Sequence, residues 1–174
     1  MSTRVAGLPT PCLLIDRGRL QANIDRMNVR AGNLGVALRP HVKTHKSVEI
    51  AALIGADAIT VSTLQEAQYF AAAGYTNILY AVSIVPAKMD RVLALNASNV
   101  NLQVLLDMPE TAMNVAQAAA EKGEVIEAWI EVDVDGHRAG LEPDDPQLLE
   151  IGRILQQAPY TRLAGVLTHA GESY

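Results

Sequence analysis

The sequence predicts an α/β fold: a parallel sheet covered by helices. Three observations carry this. Short apolar runs alternate with helical patterns along the whole chain. The segments between runs are long enough for crossover helices, and right-handed strand–helix–strand units bury both faces of a sheet. With 174 residues, 49% of them apolar and 19% charged, the chain has the composition of one ordinary globular domain. Two closures fit this alternation, an open doubly wound sheet or a (β/α)8 barrel that six strands would leave two short. No G-x-G-x-x-G follows the first strand and no G-x-x-x-x-G-K-[ST] occurs, so neither nucleotide fingerprint supports the open sheet.

In chain order, a leader with Pro9 and Pro11 precedes Asp16, a helix cap. The apolar positions Leu20, Ile24, Met27 and Ala31 then recur every three or four residues until Gly32 and Gly35, which predicts an amphipathic helix. Strands are predicted at residues 36–42, 57–61, 77–82, 101–106, 126–134 and 163–168. Between them Thr63 and Glu66 have capping-box spacing before an Ala-rich helix, and Pro86 can open another. Residues 109–122 read as helical, and the turn EPDDP (Glu142 to Pro146) leads into a last helix over 144–157. No linker or internal boundary is evident.

Composition narrows the function. Fourteen basic against nineteen acidic residues, a net charge of −5 and 4% aromatics leave neither the basic footprint nor the stacking surface that nucleic acid requires. Cys12 is the only cysteine, so no intrachain disulfide forms. The apolar run Cys12 to Ile15 stops at Asp16, too short for a signal-peptide core, and no segment has the apolar length of a membrane span. A cytoplasmic chain without a membrane partner is expected.

All four histidines fall at or just after predicted strand ends: His41 and His45 after the first, His137 after the fifth, His169 after the sixth. Arg39, Lys43, Lys46, Arg138, Glu172, Ser173 and Tyr174 accompany them. In parallel α/β folds this carboxyl-end face gathers binding and catalytic groups. The segment RPHVKTHK (Arg39 to Lys46) places five ionisable groups in eight residues. A metal site on His41 and His45 is one reading, but a strand ends between them and the segment has no acidic third ligand. Lysine chemistry fits better, since a partly desolvated lysine among cations gives up its proton more readily and frees the amine to attack a carbonyl.

The ordered motifs TPCLLID (Thr10 to Asp16), RPHVKTHK, DVDGHRAG (Asp133 to Gly140) and GVLTHAGESY (Gly165 to Tyr174) resemble the fold-type III pyridoxal-phosphate enzymes. More narrowly they are similar to the D-serine dehydratase and D-threonine aldolase branch, with its alanine-racemase-like (β/α)8 barrel. The resemblance implies that Lys43 forms the Schiff base with pyridoxal phosphate, with Lys46 as the fallback. It places Arg138 towards the cofactor's phenolic oxygen or the substrate carboxylate, His169 against the pyridine ring and Tyr174 near the cofactor, with His41, Thr44 and His45 orienting Lys43. It implies a lyase for small D-β-hydroxy amino acids, by dehydration or retro-aldol cleavage. An amino-acid racemase or a non-catalytic cofactor-binding protein are the alternatives. Residues 1–174 are then expected to form one partial barrel domain of about six βα units. The family's two further strands, its carboxyl-terminal β-domain with zinc or manganese ligands, and its homodimer would involve chain beyond these residues. TPCLLID would pair as a strand with that second domain.

Overall fold

The computed structural model describes residues 5–173, whose contacts form two compact units, one ending at Leu38 and the other beginning at Arg39. In the first unit, residues 8–16 lie in neither helix nor strand, so TPCLLID forms no strand here. Helix α1 (Arg17–Leu34) starts where the Asp16 carboxylate accepts the Arg19 N–H, a donor with no partner inside the helix. It runs through Gly32 and stops at Gly35, whose φ of +66° turns the chain out of the helix. Ile24 and Ala31, seven residues and so two turns apart, are its buried positions.

The second unit alternates helices α2 (Val48–Ile54), α3 (Leu64–Ala72), α4 (Met89–Asn96), α5 (Pro109–Lys122) and α6 (Gln147–Gln157) with strands. The strands are β1 (Ile59–Val61), β2 (Asn77–Ser83), β3 (Asn101–Leu106), β4 (Ile126–Glu131) and β5 (Thr161–Leu167). They form one parallel sheet in the order β1-β2-β3-β4-β5. A doubly wound sheet reverses its strand order at a switch point, whereas this order advances without reversal, as in the wall of a (β/α) barrel.

Five strands stand where six were expected. The missing one, residues 36–42, is reduced to a single bridge between His41 and Thr60. Thr60 N–H donates to Pro40 O and Val42 N–H donates to Thr60 O, each at 2.9 Å. The ladder stops at one end because Pro40 has no N–H. At the other end, Val42 O takes the Lys46 N–H at 2.9 Å and Ser62 N–H turns to the Glu66 carboxylate at 2.8 Å. Helix α2, absent from the sequence-based expectation, is capped by Ser47, whose hydroxyl accepts the Ile50 N–H. The Thr63 cap of α3 is present, but its Glu66 accepts from Ser62 rather than from Thr63 itself.

Strand parity then assigns the two faces. Ile78 and Tyr80, Leu102 and Val104, and Ala128 and Ile130 point to the helices and join Phe70, Val92, Val115, Ile151 and Leu155 in the core. Phe70 is fully buried, edge-to-face with the Tyr69 and Tyr75 rings at 5.1 and 5.7 Å. The opposite face is buried at Leu79, Leu105 and Gln103 and carries a polar chain. Trp129 Nε1–H donates to Gln103 (2.8 Å), Gln103 donates to Asn77 (3.1 Å), and Arg39 donates to the same Asn77 oxygen (3.0 Å). Gly165 completes this layer: a Cβ there would lie 3.1 Å from the Trp129 ring, and its φ of +150° is one that glycine tolerates.

Candidate active site

The same parity directs side chains at the carboxyl ends of the strands into one cavity of about 300 Å³. His41 and Lys43 line it from the bridge segment, Thr60 and Ser62 from β1, Ala81 and Val82 from β2. Glu131 and Arg138 contribute from the end of β4 and the loop after it, and Leu167, Thr168 and His169 from the end of β5. A larger groove, about 530 Å³, lies at the opposite end of the sheet among Asn77, Asn101, Glu127 and Arg162. It is filled with satisfied amide and ion-pair contacts, Asn101 to Glu127 and Arg162 to Glu127, and has neither amine nor imidazole among its lining groups. The chemistry therefore concentrates in the smaller cavity.

Lys43 follows the last paired residues and sits in the turn 42–45, not within a strand. The turn is folded by its own histidines: His41 Nδ1 accepts the Lys43 N–H at 3.3 Å, and His45 Nδ1 accepts the Ser47 N–H at 3.1 Å. Burial, reinforced by the Lys43 charge, pushes the His41 imidazole below its ordinary value, so it favours the neutral form. Burial lowers His45 in the same way, but His45 and Thr44 line no part of the cavity.

Lys46 lies elsewhere. Its φ of +48° carries it out of the turn, and its amine pairs with Glu66 at 3.0 Å in a separate groove, 62% exposed while Glu66 is 8% exposed. Burial by itself would raise the Glu66 carboxyl, but the Ser62 N–H and the Lys46 ammonium outweigh it and hold the group below its ordinary value. The fallback lysine is thus a clasp between the turn and α3. Arg39, expected with the carboxyl-end groups, is at the amino ends of the strands beside Asn77. It precedes His41 by two residues, which keeps its side chain on the inner face but one level lower.

Arg138 is carried by a loop folded back on β4. Val132 bridges Leu141, with Asp133 N–H donating to Leu141 O (2.9 Å) and Leu141 N–H to Glu131 O (3.1 Å). This return needs Gly140, since a Cβ there would come within 2.9 Å of Glu131 C and O and 2.8 Å of Asp133 N. The Asp135 carboxylate then joins this loop to the segment after β5 by accepting the Gly171 N–H at 2.9 Å, which sets Arg138 and His169 in one frame. Burial disfavours that carboxylate, but the Gly171 and His137 N–H groups prevail and lower it. His137 itself points away, 3.4 Å from the exposed Glu172.

Lys43, Arg138 and His169 thus meet in one cavity, while Tyr174 lies outside the described residues. Sequence reasoning missed Ser62 and Glu131. Glu131, 7% exposed, has its carboxyl raised mainly by burial, against the Ser83 hydroxyl at 3.3 Å and the Arg138 charge. An acidic residue closing the apolar run IEAWIE was the available signal; Ser62, directly after a buried strand, was recognisable only from pairing. Among the described residues no group of three or more His, Cys, Asp or Glu is placed to hold a metal ion, and no helix is long and apolar enough to cross a membrane.

The D-threo-3-hydroxyaspartate dehydratase of Delftia sp. (strain HT23) is 49% identical over 178 residues, covering 100% of this chain and 47% of the relative. Its solved structure superposes with a TM-score of 0.93 at 50% identity, covering 97% of this chain and 45% of that one. A metal-free form of a variant of that enzyme gives 0.95 at 48% identity, covering 99% and 46%. The D-serine dehydratase of Dictyostelium discoideum is 31% identical (98% of this chain, 47% of the relative), and the D-threonine aldolase of Arthrobacter sp. is 33% identical (96% and 45%). The chain therefore spans about half the length of the curated relatives it matches. The family model for the alanine racemase N-terminal domain matches residues 15–173, and the chain belongs to that family.

Proposed function

We propose that this chain is the cofactor-holding portion of a pyridoxal-phosphate-dependent lyase for small D-β-hydroxy amino acids, such as D-serine, D-threonine or D-threo-3-hydroxyaspartate. The observation that carries the reading is the convergence of Lys43, Arg138 and His169 on one cavity at the carboxyl ends of a barrel-type sheet. The donor set fits the group: an amine for its carbonyl carbon, a guanidinium for an anionic oxygen and a flat imidazole for its ring. The cavity volume lies at the small end of ordinary ligand pockets. When bound, pyridoxal phosphate supplies the electron sink for chemistry at the substrate's α-carbon.

The chain's own residues set the surroundings of that chemistry. Lys43 presents its amine from a turn pinned by the His41 ring. Arg138 offers a fixed positive charge beside Glu131, whose burial favours its protonated form. The dehydratase and aldolase activities of the relatives support a lyase over a racemase. Departure of a β-hydroxyl is served by a divalent cation, zinc or manganese, acting as Lewis acid; the metal-free form of a relative supports a metal partner. A cytoplasmic homodimer completes the reading.

The test uses the full-length protein carrying this chain. Borohydride reduction in the presence of pyridoxal phosphate, followed by peptide mapping, should place the label on Lys43, and Lys43→Ala but not Lys46→Ala should abolish it. The protein should release ammonia or an aldehyde from D-β-hydroxy amino acids and lose this activity on chelation. Label on Lys46 would overturn the site. Metal-independent interconversion of alanine enantiomers without release would overturn the lyase.

A further inference from the structure

The polar groups beside Lys43 form a hydrogen-bonded chain that ends on the Ser62 hydroxyl. His41 Nδ1 accepts the Lys43 N–H at 3.3 Å and therefore carries its lone pair there, so the neutral ring bears its proton on Nε2. That Nε2 lies 3.2 Å from Ser62 Oγ, and in this tautomer it is the donor of the contact. The Ser62 backbone is held independently, its N–H given to Glu66 Oε2 at 2.8 Å, with Glu66 in turn clasped by Lys46 at 3.0 Å. Ser62 Oγ thus has one of its two lone pairs engaged and its backbone fixed, and among the described residues its hydroxyl has no second hydrogen-bond partner. The residue lines the cavity with Lys43, Arg138 and His169.

We infer that Ser62 is a ligand-binding hydroxyl that donates to an anionic oxygen of the group bound beside Lys43, and that His41 is the positioning residue that aims it. A hydroxyl that already accepts from a neutral imidazole has its O–H directed away from that ring, which favours an anionic or carbonyl oxygen as its next partner. A hydrogen bond to a charged acceptor is about twice as strong as a neutral one. The oxygen belongs either to the cofactor or to the substrate carboxylate, and the two are separable by experiment. The inference rests on reading the cavity as a cofactor site.

In the full-length protein, two constants are read spectroscopically: the Kd of pyridoxal phosphate from its absorbance change, and the Kd of D-alanine from the spectral change on adding it to the holoenzyme. Ser62→Ala should weaken one of them by roughly tenfold or more, the size expected for one charge-assisted hydrogen bond. Loss in the first assigns the oxygen to the cofactor; loss only in the second assigns it to the substrate. Ser62→Cys, which keeps the volume but donates poorly, should behave like Ser62→Ala if the alanine variant does not fold. Ser62→Thr should restore binding to within about threefold. His41→Ala combined with Ser62→Ala should lose less than the two single losses added, because His41 acts on the ligand through Ser62. Both constants within about twofold of wild type in Ser62→Ala or Ser62→Cys, or full additivity with His41→Ala, would overturn the inference. Absence of borohydride label on Lys43 in the wild-type protein would instead overturn the cofactor reading beneath it.

Discussion

Gly140→Ala is the sharpest test of how the Arg138 loop is held. Gly140 has a φ of +115°, a backbone conformation that costs alanine about 1–3 kcal/mol. The added Cβ would also stand 2.8 Å from Asp133 N and 2.9 Å from Glu131 C and O. These are backbone atoms and cannot rotate away. Relief requires the loop to slip off β4, which loosens the Asp133-to-Leu141 and Leu141-to-Glu131 hydrogen bonds, together worth about 1–3 kcal/mol. Because the loop relaxes by whichever route costs less, the loss should be about 2–4 kcal/mol rather than the full sum. Gly136 in the same loop is the internal control: its φ is +71°, but a Cβ there meets nothing within 4 Å. Gly136→Ala should therefore cost only the left-handed backbone penalty of about 1 kcal/mol. Urea unfolding followed by circular dichroism, with pyridoxal phosphate affinity measured alongside, compares the two variants. Gly140→Ala should be the less stable and should bind the cofactor more weakly, because Arg138 is displaced with the loop. Equal losses in stability would refute the argument that close approach, rather than backbone conformation alone, requires glycine at 140.

Two further outcomes follow from the inner face. Gln103→Leu should destabilise by about 1–3 kcal/mol in denaturant titrations, because it strands the Trp129 Nε1–H and removes a donor from Asn77, and adding Trp129→Phe should recover part of that loss. Glu131 predicts a pH dependence. Burial raises its carboxyl above the ordinary 4.5, so the folded state binds this proton more tightly than the unfolded state. Its stabilising contribution is complete below the unfolded value and is lost as pH rises through the folded one. Glu131→Gln does not titrate, so its stability relative to wild type should climb as pH rises from about 4.5 towards neutrality. A relative stability that is flat or falls with pH would sink this.

Much of this architecture was legible in the sequence because it depends on local chemistry. Asp16 before an i, i+3, i+4 apolar pattern, Gly35 after it, Thr63 before α3 and Pro109 opening α5 each act within one helical turn. Apolar runs of strand length mark β2 and β3 almost to the residue. The resemblance groups Lys43, Arg138 and His169 as partners, and all three line one cavity. What the sequence could not decide was long-range pairing. Residues 36–42 read as a strand, but a ladder needs partners, and Pro40 on one side and the Ser62–Glu66 contact on the other remove them. Arg39 and Lys43 stand four residues apart in one motif, yet strand direction sends one to the amino end of the sheet and the other to the carboxyl end. Lys46 left the site to clasp Glu66 on α3, and Ser62 and Glu131 entered it only because parallel register set those two on the inner face at the carboxyl ends of their strands. Local propensity names the elements; register, which depends on residues tens of positions away, decides which side chains meet.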